Sequence, residues 1–321
     1  MKYRLSLLML LTITLSYSQE MEKIILKDRD TNDLYINDGD STTLYYLKSV
    51  PTTEIKGVLV ILPSGGETTE NLLKQITLHH LAVEKGLLVL IPSINFGTEN
   101  RDAEFHILDK IFSEIVKEYS VSKDNFILGG LSNGGMISLS YAEKAVKYPG
   151  TTFLVPKGVF ALDSPLDKVH LYQYCEREIE RNYNEAGADE GKWIMERYKK
   201  LYGTPYKHPE KYIEASIYSY GAKEGGNAKY LKQIPLRMYT DFDVEWLMNE
   251  RHRDLYDWNG TDIIAMVNLL KVMGNKDANV IISYGKGFKL DGSKHPHSWS
   301  IMDSQDCLNW ISNLLESSSK I

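Results

Sequence analysis

Strand-length apolar runs that alternate with helical patterns constrain the fold of this chain more than any other feature. The runs lie at residues 57–62, 87–91, 125–129, 158–162, 234–240 and 280–284. Apolar runs without polar alternation are typical of strands that are covered on both faces. The clearest helical pattern between them places apolar residues on one face from Phe105 to Tyr119. The alternation predicts an α/β fold, with a mostly parallel sheet and helices on both faces.

Two segments depart from this alternation. Residues 23–27 and 43–47 are short apolar runs with no helical pattern between them, and "NDGD" at residues 37–40 is a turn signal. We therefore expect an antiparallel hairpin at one edge of the sheet. Residues 164–232 are polar, rich in tyrosine and helical in pattern, and they are far longer than an ordinary connection. We expect them to form an inserted helical cap over the carboxyl edge of the sheet.

Residues 1–18 have the features of a secretory signal peptide. Basic residues precede an apolar run at residues 5–15, and the small residue Ser18 follows it. The run is too short to span a bilayer, and no cysteine follows it that would carry a lipid. We expect cleavage near Ser18 and export to the periplasm or the extracellular space without a membrane anchor. Residues 19–321 would then form one mature domain that carries the cap.

Charge and cysteine content exclude several classes of partner and site. The formal net charge of -6 is spread along the chain without a basic block, so nucleic acid and anionic membranes are not expected as partners. The cysteines are Cys175 and Cys307, too few for a disulfide scaffold. A disulfide between them and two buried free thiols are both open. The sequence has no HExxH or CxxC pattern, so no metal site is expected.

The segment "GLSNG" contains the candidate nucleophile. It follows the apolar run at 125–129 and precedes a helical pattern, with Gly130 and Gly134 flanking Ser132 at two residues on either side. Small residues at these positions allow the tight, strained turn that exposes a nucleophilic hydroxyl. The helix that begins here adds backbone N–H groups where an oxyanion would form. We therefore expect Ser132 to be a nucleophile and the N–H of Asn133 to be an oxyanion donor.

A serine hydroxyl is a weak nucleophile and needs a general base. His297 lies in "HPHSW", after the last predicted strand and just before the C-terminal helical pattern, so it should lie at the same sheet edge as Ser132. His295, two residues earlier, is the competing candidate. We favour His297 because "HSW" leads directly into the helix.

The base needs an acid to orient it, and two loops at the predicted reactive edge offer one. Asp241 and Asp243 follow the run at 234–240, and Asp163 follows the run at 158–162. An acid after the penultimate strand precedes the histidine in the chain order Ser, Asp, His, which favours Asp243. Asp241 and Asp163 remain alternatives.

The loop after the first parallel strand is expected to supply the second oxyanion donor. It reads "PSGGE", with Ser64, Gly65 and Gly66 directly after the apolar run. Glycines let the backbone approach a substrate carbonyl closely. We expect the N–H groups of Gly66 and Asn133 to point at one oxygen.

Taken in order, "LPSGG", "GLSNGGM", "YTDFD" and "HSW" resemble the motifs of the α/β-hydrolase superfamily over about residues 57–311. The resemblance implies the α/β-hydrolase fold and a serine hydrolase that needs no cofactor. "GLSNGGM" with a later "HSW" is similar to secreted polyhydroxybutyrate depolymerase-like and feruloyl-esterase-like enzymes. Three features depart from the usual pattern. Ser64 stands where many relatives carry histidine, Thr240 stands where glycine is usual, and there is an insertion around "NERHRDLYDWNG".

The expected activity is hydrolysis of a small or carbohydrate-linked carboxylic ester through an acyl-enzyme. A serine aminopeptidase or acyl-peptidase is the rival, with Glu67, Glu185, Asp189 or Glu190 holding the substrate amine. A non-catalytic binding protein on the same fold is the third possibility. The aromatic residues of the cap suit either stacking on a substrate or packing within the cap. They are Tyr172, Tyr174, Tyr183, Trp193, Tyr198, Tyr202 and Tyr206.

Overall fold

A computed structural model describes residues 21–26, 34–35, 43–96 and 101–316 of the 321-residue chain. The expected signal peptide and the "NDGD" turn lie outside these residues. None of the described helices combines the length and apolar character that crossing a bilayer requires.

The described residues form one eight-stranded sheet. Its strands are β1 (Glu22–Ile25), β2 (Tyr45–Ser49), β3 (Gly57–Leu62), β4 (Leu87–Pro92), β5 (Phe126–Leu131), β6 (Gly158–Leu162), β7 (Leu236–Asp241) and β8 (Ala278–Ser283). Their order across the sheet is β1-β2-β4-β3-β5-β6-β7-β8. The pairs β1–β2 and β2–β4 are antiparallel and all other pairs are parallel. This confirms the mostly parallel sheet and the antiparallel pairing of the first two strands at its edge.

Burial explains why the central strands read as unbroken apolar runs. Every residue of β3, β4, β5 and β6 is buried, so both faces of these strands are covered. The helices are α1 (Thr69–Gln75), α2 (Leu78–Glu84), α3 (Asp102–Tyr119), α4 (Asn133–Lys147), α5 (Lys168–Arg181), α6 (Glu185–Tyr202), α7 (Pro209–Ala215), α8 (Val244–Arg251), α9 (Asn259–Val272) and α10 (Ser304–Glu316). Apolar faces of α3 and α10 pack into the larger core, and α9 packs into a second one.

The inserted cap lies between β6 and β7 and consists mainly of α5, α6 and α7. It has a small core of its own in which Tyr172, Tyr198 and Tyr212 are buried and meet edge to face. The exact limits of the cap, 164–232, remain a prediction. Cys175 in this core and Cys307 in α10 are buried free thiols, and burial raises the pKa of each to about 12.

Candidate active site

Ser132 lies at a strained turn between β5 and α4. Its backbone has φ 54° and ψ −114°, a left-handed conformation that is rare for a residue with a side chain. Glycine is required at positions 130 and 134 because the backbone at the end of β3 passes close to both residues. A Cβ atom on Gly130 would lie 2.4 Å from the carbonyl oxygen of Leu62, and one on Gly134 would lie 2.2 Å from the same atom. The predicted strand-to-helix turn around Ser132 is therefore present.

His297 lies on the loop between β8 and α10, and its ring is held by a carboxylate. Its Nδ1 atom is 2.7 Å from Oδ2 of Asp163, whose side chain is fully buried. Burial by itself lowers the pKa of His297, but the hydrogen bond and the negative charge of Asp163 outweigh it. The pKa of His297 is therefore raised above its ordinary value. The Nε2 atom of the ring is left for chemistry in the cavity that Ser132 also lines.

Asp163 directly follows β6 and has φ 40°. Its Oδ1 atom accepts a hydrogen bond from the Thr240 hydroxyl at 3.1 Å. The amide of Asn259 donates to the Asp163 carbonyl at 2.9 Å and lies 3.3 Å from Oδ2. Thr240 and Asn259 belong to two of the departures from the superfamily pattern, a threonine in place of glycine and the end of an insertion. Both support this buried carboxylate.

The structure does not bring Asp243 to His297, so the acid favoured from chain order needs correction. Asp243 caps α8 by accepting from the N–H of Trp246 at 3.0 Å, and Lys294 donates to its other oxygen at 2.9 Å. Burial acts to raise the pKa of Asp243, but the hydrogen bonds from Lys294 and Trp246 and the charge of Lys294 together lower it. The physical reason is sheet order, because β6 lies beside the nucleophile strand β5 and β7 lies one strand farther, about 5 Å.

The other two candidates from the sequence have structural contacts. Asp241 accepts from the Ser283 hydroxyl and from the N–H of Gly287, each at 2.9 Å, which ties β7 to the loop after β8. Nδ1 of His295 is 3.0 Å from the carbonyl oxygen of His297. Burial, and then the neighbouring charge of His297, lower the pKa of His295 to about 4. His295 is therefore a neutral ring bonded to the backbone of His297, and its Nδ1 partner is a carbonyl in place of a carboxylate.

The N–H of Gly66, expected as the second oxyanion donor, is already used within the protein. The N–H of Gly66, a residue with φ 72°, donates to the carbonyl oxygen of Asn95 at 2.9 Å and is not available to a substrate. Gly65 lies opposite the helix start, since a Cβ atom on it would be 3.9 Å from Cβ of Asn133. Within the described residues the N–H of Gly65 has no hydrogen-bond partner, and Gly65, Asn133 and Ser132 line the same cavity.

Glu67 fastens the loop that carries Gly65. Its carboxylate accepts from the N–H of Ser64 at 2.9 Å, from the side-chain amide of Gln75, and from Nε1 of Trp299 at 3.0 Å. Burial raises the pKa of this carboxyl, although these donors oppose the shift. Because Trp299 follows His297 by two residues, Glu67 joins the oxyanion loop to the histidine loop. No sequence pattern indicated this contact.

These residues open into one cavity of about 800 Å³ beneath the cap. Ser132, His297, Asn133 and Gly65 lie along its wall, together with side chains of α4, α5 and α6. A cavity of this size accommodates a ligand much larger than the scissile group alone.

No protein-family model matches the chain, and no curated protein is similar enough in sequence to serve as a relative. Solved structures are similar in fold. A lipase in its open form has a TM-score of 0.56 at 12% identity, covering 92% of this chain and 99% of the lipase. A thermostable esterase has a TM-score of 0.50 at 14% identity, covering 92% of this chain and 62% of the esterase. An acylaminoacyl peptidase from Pyrococcus horikoshii has a TM-score of 0.51 at 15% identity, covering 94% of this chain and 42% of the peptidase.

The chain therefore spans 62% of the esterase and 42% of the peptidase that it resembles. Similarity at this level of identity shows the fold alone. The chain has the α/β-hydrolase fold, as the sequence motifs predict.

Proposed function

We propose that this protein is a serine hydrolase that cleaves carboxylic esters, with Ser132 as nucleophile, His297 as general base and Asp163 as its orienting acid. The observation that carries the proposal is the 2.7 Å contact between His297 Nδ1 and buried Asp163, in a cavity shared with strained Ser132. The similarity of "GLSNGGM" and "HSW" to polyhydroxybutyrate depolymerase-like and feruloyl-esterase-like enzymes supports an ester as the substrate.

The reaction follows from the positions of these groups. Ser132 Oγ attacks the ester carbonyl while His297 Nε2 accepts its proton, and Asp163 keeps the other ring nitrogen protonated. The N–H groups of Gly65 and Asn133 stabilise the oxyanion, and His297 returns the proton to the leaving alcohol. His297 then accepts a proton from a water molecule, and this water attacks the acyl-enzyme and releases the acyl group from Ser132. Within the described residues Ser132 Oγ makes no hydrogen bond. The hydrogen bond between a nucleophile and its general base often tightens only when substrate binds.

The peptidase alternative requires a carboxylate free to hold a substrate amine. Glu67 is unsuited to that role, because Ser64, Gln75 and Trp299 already occupy its oxygens. Glu190 is the remaining candidate that lines the cavity. Parallel assays of p-nitrophenyl esters and aminoacyl p-nitroanilides separate the two functions, and turnover of the anilides alone would favour the peptidase.

Replacement of the nucleophile tests the proposal directly. We expect Ser132→Ala, made in the protein that begins at Gln19, to lower kcat for p-nitrophenyl acetate by about 10³-fold or more while the fold is retained. Wild-type protein should react covalently with a fluorophosphonate at Ser132, and the variant should not. A folded Ser132→Ala protein with near wild-type turnover, or a wild-type protein that neither reacts nor turns over, would contradict the proposal.

A further inference from the structure

The cavity extends well beyond the scissile site along one face of α4. Asn133, Met136, Ser140, Glu143 and Lys147 all line it, and their spacing of three or four residues places them on one side of the helix. The axial distance from Ser132 to Glu143 is about 16 Å at the rise of an α-helix. This remote part of the cavity is therefore available to a portion of the substrate that does not react.

Cationic side chains from separate elements meet in this remote part. Arg101 immediately precedes α3, Lys168 is the first residue of α5, and Arg197 lies on α6. All three line the cavity. Nζ of Lys168 donates to the Tyr198 hydroxyl at 3.1 Å. Burial, and then the charges of Arg101 and Arg197, lower the pKa of Lys168 to about 7, and Glu104 opposes the shift. Asp102, the neighbour of Arg101, accepts from Lys144 on α4 at 2.6 Å, beside Glu143 in the chain.

Hydrogen-bonding groups in the same region lack partners. Nη1 of Arg101 is buried without a hydrogen bond, and its contact with Glu104 is an ion pair at 3.7 Å. Glu143 is only 6% exposed, and its Oε1 atom also has no partner. Burial raises the pKa of Glu143 well above its ordinary value, although the charges of Lys147 and Arg101 oppose the shift. Buried groups of this kind are normally satisfied, so unpartnered atoms at the wall of a cavity are suited to contact a ligand.

Two other cationic side chains at the cavity have structural roles, because each is paired with a carboxylate. Lys144 and Arg253 also line the cavity, but each donates to a carboxylate at 2.6 Å, Asp102 and Glu178 respectively. Among the described residues, Lys168 contacts no carboxylate within 4.0 Å. The charge of Lys168 is therefore left for a ligand to balance.

We propose that Arg101, Lys168 and Arg197, with Tyr198 and Glu143, bind an oxyanion of carboxylate or sulfate type on the ester substrate, remote from the scissile bond. The inference rests on the proposed function of Ser132. Aromatic rings flank this anion site, since the Arg197 guanidinium lies 4.5 Å from the ring centre of Phe96 and 5.5 Å from that of Trp193. Such stacking fixes the plane of the guanidinium beside the anion site.

The test compares matched anionic and neutral esters. p-Nitrophenyl monoesters of adipic, sebacic and dodecanedioic acid, each beside its methyl-capped neutral counterpart, place a carboxylate on the acyl side. Acetyl esters of the corresponding hydroxy acids place it on the alcohol side, and sulfated analogues of the best pair distinguish sulfate from carboxylate. In one of the two series, with the carboxylate on the acyl side or on the alcohol side, we expect kcat/KM for the anionic ester to exceed that for its neutral counterpart by about tenfold or more. The longer members of that series should be preferred.

Variants assign this preference to the anion site. Lys168→Met and Arg101→Met should each reduce the ratio of anionic to neutral kcat/KM by about tenfold, whereas Lys168→Arg should retain most of it. Because it is a ratio within one protein, losses in folded fraction cancel. Lys192→Met is the control, since Lys192 lies on the exposed side of α6 and pairs with Asp189. Equal rates for anionic and neutral esters in both series, with p-nitrophenyl acetate still hydrolysed, would overturn the inference alone. Failure to hydrolyse p-nitrophenyl acetate would instead overturn the proposed function.

Discussion

In the proposed mechanism, Asp163 controls which nitrogen of His297 carries the proton. Its side chain is fully buried, it accepts from Thr240 and Asn259, and its second oxygen meets His297 Nδ1 at 2.7 Å. A carboxylate held in this way has one orientation, and it fixes the imidazole with Nε2 free to accept a proton. The role requires an acceptor at this position, so an amide of the same shape is the informative replacement.

We expect Asp163→Asn to lower kcat for p-nitrophenyl acetate by about 10³- to 10⁴-fold, because an amide that donates to Nδ1 stabilises the wrong tautomer. Asp243→Asn is the matched control. It loses an ion pair with Lys294 and should keep kcat within a few-fold. Steady-state kinetics on both proteins decide the assignment, and a larger loss in Asp243→Asn than in Asp163→Asn would return the acid to Asp243.

The pH dependence should reflect the raised pKa of His297. The base must be neutral to accept a proton, so activity is low below its pKa and rises as pH passes through it. The hydrogen bond and charge of Asp163 raise that pKa despite burial, which moves the rise of kcat/KM above the ordinary value of about 6.5. Rates on a neutral ester across the pH range measure it. A rise centred below the ordinary value would show that the charge of Asp163 is not felt by the base.

At the scale of elements, the site depends on loops from distant strands. The oxyanion loop follows β3 and the histidine loop follows β8, and β5, β6 and β7 separate these strands in the sheet. Glu67 bridges the two loops through Ser64 and Trp299. Loss of this carboxylate leaves buried donors without an acceptor on both loops at once.

We expect Glu67→Gln to lower the free energy of unfolding by about 1–3 kcal/mol, the cost of unsatisfied buried donors. It should also lower kcat more than it changes KM, because the oxyanion donors and His297 lose their relative position. Glu84→Gln, on the exposed end of α2, is the control. Denaturant unfolding and steady-state kinetics measure the two effects. A loss of stability with unchanged kcat in the folded protein would reduce Glu67 to a structural role.

Local sequence signals predicted those features that local physics determines. Unbroken apolar runs mark strands covered on both faces, and the glycines around Ser132 reflect backbone contacts with a neighbouring strand end. Local signals could not identify the proposed acid partner of His297, because the position of Asp163 depends on Thr240 and Asn259, which are distant in sequence. Gly65 and Gly66 are adjacent and chemically identical, so only the backbone angles decide which N–H faces the cavity.

At the scale of the whole molecule, an acidic chain encloses a cavity with a cationic end. The formal net charge is -6, yet Arg101, Lys168 and Arg197 all line the cavity beneath the cap. The cap contributes Lys168 and Arg197, and its aromatic residues divide into two groups. Tyr172 is 1% exposed within the cap's core, whereas Trp193 is half exposed and lines the cavity.

This division predicts opposite outcomes for two substitutions in the cap. Tyr172→Ala removes a buried ring that packs against Tyr212 and should lower the free energy of unfolding by about 3–5 kcal/mol. Trp193→Ala removes a half-exposed ring and should leave the free energy of unfolding within about 0.5 kcal/mol. It should nevertheless raise KM for large esters relative to p-nitrophenyl acetate, because the ring borders the space that a large substrate fills.

Tyr183→Ala is the matched control for Trp193→Ala, because Tyr183 is also half exposed on the cap but stacks on His252, and neither residue lines the cavity. Kinetics on one small and one large ester, with thermal unfolding of each protein, distinguish the effects. If Trp193→Ala and Tyr183→Ala change the ratio of the two KM values equally, the aromatic surface of the cap does not select substrate. Substrate selectivity would then belong to the proposed anion site alone. The Trp193 ring would contribute only the orientation of the Arg197 guanidinium beside that site.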